Sequence, residues 1–146
     1  MIAYLDSSVL GRVYLPDEDG HVAATALLDD PAVAAVTGTW TRVEVAGALL
    51  RAARHGRCDE AAIPHELDAD LWPRGAVTVL TAPQEEIEAG AFDLVRRHGL
   101  RAMDAWHLSL AQIVLPDLAA QGEPLAFASR DTAQATVARE LGFEAV

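Results

Sequence analysis

The sequence predicts an α/β domain built on a parallel sheet, and three observations carry that prediction. Four short apolar runs, at residues 2–5, 33–36, 76–81 and 125–128, alternate with longer segments of helical spacing. The runs lack an in–out polar alternation, as strands covered on both faces do. The chain has 146 residues, of which 51% are hydrophobic and 23% charged. That suits one core, and residues 1–146 are taken as a single domain.

Each element follows from local chemistry. Ile2 to Leu5 is the first strand, and it ends at Asp6-Ser7-Ser8, where Asp or Ser caps a helix running to about Tyr14. Pro16 stops that helix. Asp17 to Asp19 is expected to open a second helix to about Asp30, with the acidic run as helix-start charge. Val33 to Val36 is a buried strand, and Thr37-Gly38-Thr39 is expected to turn into a long helix from about Trp40 to His55, closed by Gly56. A fourth helix is expected from Asp59 to about Trp72, broken by Pro73-Arg74-Gly75. Ala76 to Thr81 is strand-like. Pro83 stands at the start of a fifth helix ending near Gly99, with Glu85, Glu86 and Glu88 in its first turns. A sixth helix spans about Ala102 to Leu115. Leu125 to Ala128 is the fourth strand and Thr132 to Leu141 the last helix. Phe143 to Val146 is a candidate edge strand.

Charge and composition exclude several classes. The 22 acidic residues outnumber 11 basic ones, all Arg, for a net charge of −11. A polycation that coats nucleic acid is excluded, whereas an acidic metal site that meets phosphate through a cation is not. A single cysteine, Cys58, excludes an internal disulfide framework and a cysteine zinc cluster, so a cytoplasmic home is expected. The N-terminus carries no basic targeting region. The apolar stretch from Ala105 to Leu115 is interrupted by His107, Ser109 and Gln112, so no membrane span is expected.

Four carboxylates stand where chemistry concentrates. In an open parallel sheet, ligands gather beyond the carboxyl ends of the strands. Asp6 follows strand one, and Asp131 follows strand four in Ala128-Ser129-Arg130-Asp131. Each has hydroxyls beside it, and the bland alternative is that both only cap helices. Asp104 begins a helix whose positions i+4, i+7 and i+11 are Leu108, Ala111 and Leu115. A carboxylate on such a face is costly unless paired or bound to a cation. Glu44 lies in the long helix beside Gly47 and Ala48, or is simply an exposed glutamate paired with Arg51. Carboxylates that face one point raise each other's pKa, and Mg²⁺ or Mn²⁺ relieves this while activating water against a phosphodiester. Spacing alone does not bring the four together.

Taken together, the motifs resemble a known family. Ala3-Tyr4-Leu5-Asp6-Ser7-Ser8 resembles the opening motif of PIN-domain nucleases. Thr41-Arg42-Val43-Glu44-Val45-Ala46 resembles their second acidic motif, and Arg101 to Leu108, around Asp104, the third. Phe127-Ala128-Ser129-Arg130-Asp131, followed by a helix and Leu141-Gly142-Phe143, resembles the fourth. The order and spacing match over nearly the whole chain. Its compact length is most similar to VapC-type toxins of bacterial toxin–antitoxin pairs.

The resemblance implies a three-layer α/β/α fold around a central parallel sheet of four to five strands. It also implies a Mg²⁺- or Mn²⁺-dependent endoribonuclease acting on tRNA or rRNA, a VapB-like antitoxin partner and a homodimer. By position, Asp6 and Asp104 are the implied metal ligands, Glu44 and Asp131 complete the cluster, and Ser7 and Ser129 support it. Ser7 stands where many members carry Thr. Thr132 and Ala133 stand where some carry a further acid, which leaves one-metal and two-metal chemistry open.

Other residues have plainer expectations. His107, three residues after Asp104, is expected to buttress its helix, with a catalytic histidine as the alternative. Trp40, Trp72 and Trp106 are expected in the core or at a partner contact. Arg12, Arg51 and Arg130, with Arg54 and Arg57, are candidate RNA-phosphate contacts or a solvated face. The alternative function is a PIN fold that binds RNA or protein without cutting. An aspartyl-phosphate phosphatase is disfavoured because Ser8 stands where its second Asp belongs, and a receiver domain because the chain has no Lys.

Overall fold

The computed structural model describes residues 1–71 and 75–146. Five strands form one all-parallel sheet: β1 (Ile2–Leu5), β2 (Ala34–Gly38), β3 (Thr78–Leu80), β4 (Leu125–Ala128) and β5 (Glu144–Ala145). Their spatial order is β3-β2-β1-β4-β5. Seven helices among the described residues flank the sheet: α1 (Ser7–Val13), α2 (His21–Asp29), α3 (Thr41–Ala53), α4 (Ile63–Leu71), α5 (Gln84–His98), α6 (Ala102–Leu118) and α7 (Thr132–Glu140). The expected α/β class and the edge strand at the C-terminus are both present.

Because side chains alternate along a strand, β1 feeds two cores. Ile2 and Tyr4 pack with Val36 and Phe127 beneath α5, α6 and α7. Ala3 and Leu5 pack with Ala35, Ala126 and Ala128 beneath α1, α3 and α4. The second set is mostly alanine, so those helices approach the sheet closely. At the α5–α6 contact, Gly90 makes room for Ser109, whose hydroxyl donates to the Ile87 carbonyl at 2.9 Å.

β1 is the central strand and pairs with both β2 and β4, aligning Tyr4 with Val36 and Phe127 and Leu5 with Ala128. The chain leaves β1 toward β2 and later returns on the other side to β4. The gap between the carboxyl ends of β1 and β4 is therefore the topological switch point, where this architecture places ligands.

Several boundaries differ from expectation, each for a physical reason. The second helix starts at His21, because Arg57 holds Asp17 in a bidentate pair at 2.7 and 2.9 Å and also takes Glu18 at 2.7 Å. The run 17–19 is thus an ion-pair site, and Gly20, at φ 89°, sets the helix start. The fourth helix begins at Ile63, which puts Pro64 in its first turn; from Asp59, Pro64 would lie inside the helix and cost about 3 kcal/mol. Strand β2 runs on through Thr37 and Gly38, paired with Val79 and Leu80 of β3. Helix α6 passes Pro116 and ends at Leu118, with Ala119 N–H closing onto the Leu115 carbonyl. The expected helix end at Trp72, the Pro73-Arg74 part of the break and Trp72 itself lie outside the described residues.

Candidate active site

Asp6 leaves β1 and caps α1, so one residue serves the sheet junction and the site. Its backbone N–H donates to the Ala128 carbonyl, pinning it to β4. Oδ1 accepts from Ser8 N–H at 3.0 Å, Ser8 Oγ at 2.7 Å and Val9 N–H at 3.1 Å, and Oδ2 lies 3.0 Å from Ser129 Oγ. The carboxyl is buried at 4% exposure. Burial raises its pKa, while the bonds from Ser8, Ser129 and Val9 and the nearby His107 pull it back.

Ser129 joins two strands of this network. Its hydroxyl lies 2.6 Å from Gln134 Oε1 as well as 3.0 Å from Asp6 Oδ2, and it accepts from Asp131 N–H at 3.0 Å. One hydroxyl proton therefore faces two acceptors.

Asp131 caps α7, with its Oδ1 accepting from Gln134 N–H at 2.9 Å. Gln134, fully buried, donates through Nε2 to the Asp104 carbonyl at 3.0 Å. This ties the first turn of α6 to the β4–α7 junction. The Asp104 carboxylate itself has no hydrogen-bond partner among the described residues. Its pKa is raised by burial and by the charges of Asp131 and Asp6, against a smaller pull from Arg101 and His107. Asp104 thus lies in the field of both Asp131 and Asp6.

Glu44, in α3, meets His107 and not Arg51. His107 Nε2 stands 2.7 Å from Glu44 Oε2, and Nδ1 stands 2.7 Å from the Tyr4 hydroxyl. His107 is 2% exposed, and Tyr4 is fully buried. Burial, with the charges of Asp6 and Glu44, holds the Tyr4 phenol well above its ordinary pKa, so it keeps its proton. Beside Glu44 lies a cavity of about 380 Å³ lined by Ser7, Ser8, Val43, Gly47, Ala48 and Arg51. The small residues at 47 and 48 open it, as the sequence suggests.

The arginines divide by environment. Arg12 is committed to backbone, with Nε donating to Asp19 O at 2.7 Å and Nη1 to Ser8 O. Arg57 is paired with Asp17 and Glu18. Arg51 faces the cavity, and Arg130 is exposed with its N–H on Ser8 Oγ.

Among the described residues, no three His, Cys, Asp or Glu side chains are grouped closely enough to hold a metal ion. The donor chemistry nevertheless fits a hard cation. Asp104 lies in the field of Asp6 and Asp131 at the switch point and has no protein partner among the described residues, a setting that favours an oxygen-seeking divalent ion.

The PIN domain sequence profile matches residues 3–140. The chain belongs to the PIN domain family. Four solved chains match its fold. One is the 2.2 Å structure of VapBC-1 from nontypeable Haemophilus influenzae, with a TM-score of 0.57 and 16% identity, covering 99% of this chain and 98% of that one. No curated protein sequence is significantly similar to this chain. In this PIN domain no described helix is long and apolar enough to cross a membrane.

The PIN fold brings Asp6, Asp104, Asp131 and Ser129 to one end of the sheet, and places Glu44 against His107. Of the two serines after Asp6, it is Ser8 that bonds the carboxylate, while Ser7 lines the cavity. Ser8 follows the Asp by two residues, the spacing of a capping turn, and that was the available signal. Gln134 and Tyr4 left no such signal, since each acts across the sheet. Trp106 is buried, and Trp40 is 46% exposed at the start of α3.

Proposed function

We propose that this PIN domain is a metal-dependent endoribonuclease and the toxin of a VapBC-type pair, hydrolysing phosphodiester bonds of tRNA or rRNA in the cytoplasm. The observation that carries the nuclease reading is the meeting of Asp6, Asp104 and Asp131 at the switch point, tied together through Ser129 and Gln134, with Asp104 in the field of the other two. The toxin reading draws on the likeness to VapBC-1.

Mg²⁺ or Mn²⁺, when bound, supplies Lewis acidity to the phosphate and a more acidic water. Asp6 and Asp104 would hold it, with Glu44 and Asp131 completing the shell directly or through water. Asp6 is oriented by four hydrogen bonds. Ser8 and Ser129 fix that carboxylate, and Gln134 fixes the backbone of Asp104 relative to it. Ser7, at the cavity wall, supports the same edge. Arg51 and Arg130 offer charge to flanking RNA phosphates, and Arg12 contributes by holding the Ser8 turn.

At a net charge of −11, the protein gathers little RNA by charge alone. Recognition then leans on the metal and on these few arginines, in a groove completed by a homodimer. A VapB-like antitoxin inhibits by carrying Arg or Lys to the acidic cluster in competition with metal.

The test is cleavage of total cellular RNA by the purified protein with Mn²⁺ or Mg²⁺. Asp6→Asn and Asp104→Asn are expected to lose more than the roughly 10–100-fold typical of an outer-shell change. Unchanged cleavage in either variant sinks the assignment. RNA binding with no metal-dependent cleavage by the wild type moves the protein to the non-cutting binding module.

A further inference from the structure

We propose that His107 is a positioning residue for Glu44, set in its Nε2–H form by the Tyr4 hydroxyl. This deepens the nuclease reading and rests on it, because Glu44 matters here as a member of the acidic cluster.

The three groups form a line from core to cavity. Tyr4 is fully buried and His107 nearly so, while the Glu44 side chain is 28% exposed and is the only one of the three that meets solvent appreciably. Tyr4 comes from β1, Glu44 from α3 and His107 from α6, so three elements meet at one imidazole. A neutral imidazole has one donor and one acceptor nitrogen. The protonated Tyr4 phenol offers its hydrogen to Nδ1. Nε2 then carries the ring proton and donates it to Glu44 Oε2. Every polar atom of the ring is used once, and the carboxylate receives the donor it needs.

The ring has little freedom to do otherwise. Trp106 stands against it edge-on, with centroids 5.4 Å apart and planes at 90°. Tyr4 packs at 5.7 Å and 64°, and is itself stacked on Phe127 at 5.1 Å and 3°. Gly38, at the end of β2, completes the socket. A Cβ there would stand 2.6 Å from both the Tyr4 hydroxyl and Trp106, and 2.8 Å from Leu110. Room for the Tyr4 hydroxyl at its working position thus depends on a glycine. Glu44 is held through Oε2, and Oε1 has no hydrogen-bond partner among the described residues, so one oxygen is fixed and the other is available. Losing an outer-shell hydrogen-bond partner of this kind typically costs about 10–100-fold in metal affinity.

Two amides separate this role from mere packing. The Gln side chain at position 107 puts an N–H donor near the place of imidazole Nε2, and Asn puts its polar end near Nδ1. The probe is Mn²⁺ alone, titrated into the full chain by calorimetry, with thermal melting of each variant as the folding control. His107→Asn is expected to weaken Mn²⁺ binding about tenfold, and His107→Gln about threefold or less. A packing role alone would make the affinity follow the melting temperature, and equal affinity in all three folded proteins overturns the proposal.

Histidine nitrogen NMR on the wild type needs no variant to fold. Above the ordinary histidine range, a proton on Nε2 is expected, and a bare Nε2 overturns the proposal whatever the metal result. If the wild type binds no Mn²⁺, the nuclease reading fails as well. If it binds Mn²⁺ and loses it in Asp6→Asn but not in His107→Asn, only the positioning role fails.

Discussion

Asp6 and Asp104 face the same space from opposite kinds of support. Asp6 sits at a strand end with four donors around its oxygens, three of them from the turn that it caps. Asp104 sits on the first turn of α6, and its carboxylate has no protein partner among the described residues. Both have raised pKa values, chiefly through burial. For Asp6 the donors offset part of that cost, whereas for Asp104 the charges of Asp131 and Asp6 add to it. One carboxylate is therefore structural as well as chemical. The other is held in place by its helix at the expense of stability, as functional groups often are.

The largest expected effect breaks the Asp6 side. Asp6→Ala removes a helix cap, worth about 1 kcal/mol, and leaves the Val9 and Ser8 N–H groups and the Ser8 hydroxyl short of an acceptor. Losing a buried charge works the other way. The hydrogen bonds outweigh it, and a net destabilisation of about 2 kcal/mol is expected in metal-free denaturant unfolding. Unchanged stability would mean that the four donors are not what holds this junction.

Asp104→Asn should have the opposite sign. It removes a carboxylate that no donor stabilises, so the metal-free protein should melt a few degrees higher at neutral pH, although cleavage is lost. The pH dependence sharpens the contrast. A carboxyl whose folded pKa is raised favours the folded state below the ordinary Asp value of about 3.9. That contribution fades as pH rises through the folded value and is gone at neutral pH. Wild-type stability should therefore fall over that window, and less steeply in Asp104→Asn. Parallel melting curves across pH in the two proteins would refute the field between Asp104 and its neighbours.

The contrast also shows what a sequence reveals and what it withholds. Asp6 and Asp131 were legible because a strand end, an Asp and a helix start are contiguous signals. Asp104 was legible because a charge stood on an apolar face. The partner of Glu44 was not. Arg51 is seven residues away on the same helix, whereas His107 is 63 residues away and arrives only through the packing of α6 on the sheet. Tyr4 and His107 are 103 residues apart. The second helix starts later than expected for the same reason, since Arg57 claims Asp17 and Glu18 from 40 and 39 residues on. Local chemistry wrote the elements and the acids. Strand order decided which groups meet.

The smallest effect tests the finest part of the comparison, the two serines after Asp6. Family resemblance favours Ser7 as the supporting hydroxyl. The geometry gives that work to Ser8, whose Oγ donates to Asp6 Oδ1 at 2.7 Å and accepts from Arg130 N–H at 2.9 Å. Ser8→Ala removes both, and a loss of about 1 kcal/mol is expected, since the Ser8 N–H bond to Asp6 survives. Ser7→Ala breaks no hydrogen bond found among the described residues and should leave stability and Mn²⁺ affinity where they are. Because Ser7 lines the cavity beside Glu44, its effect should surface only in RNA cleavage, as a change in KM. Equal destabilisation by the two substitutions would mean that the Asp6 cap turn is held by the helix as a whole. A loss confined to Ser8→Ala assigns the ordering of Asp6 to one hydroxyl and leaves Ser7 to the substrate.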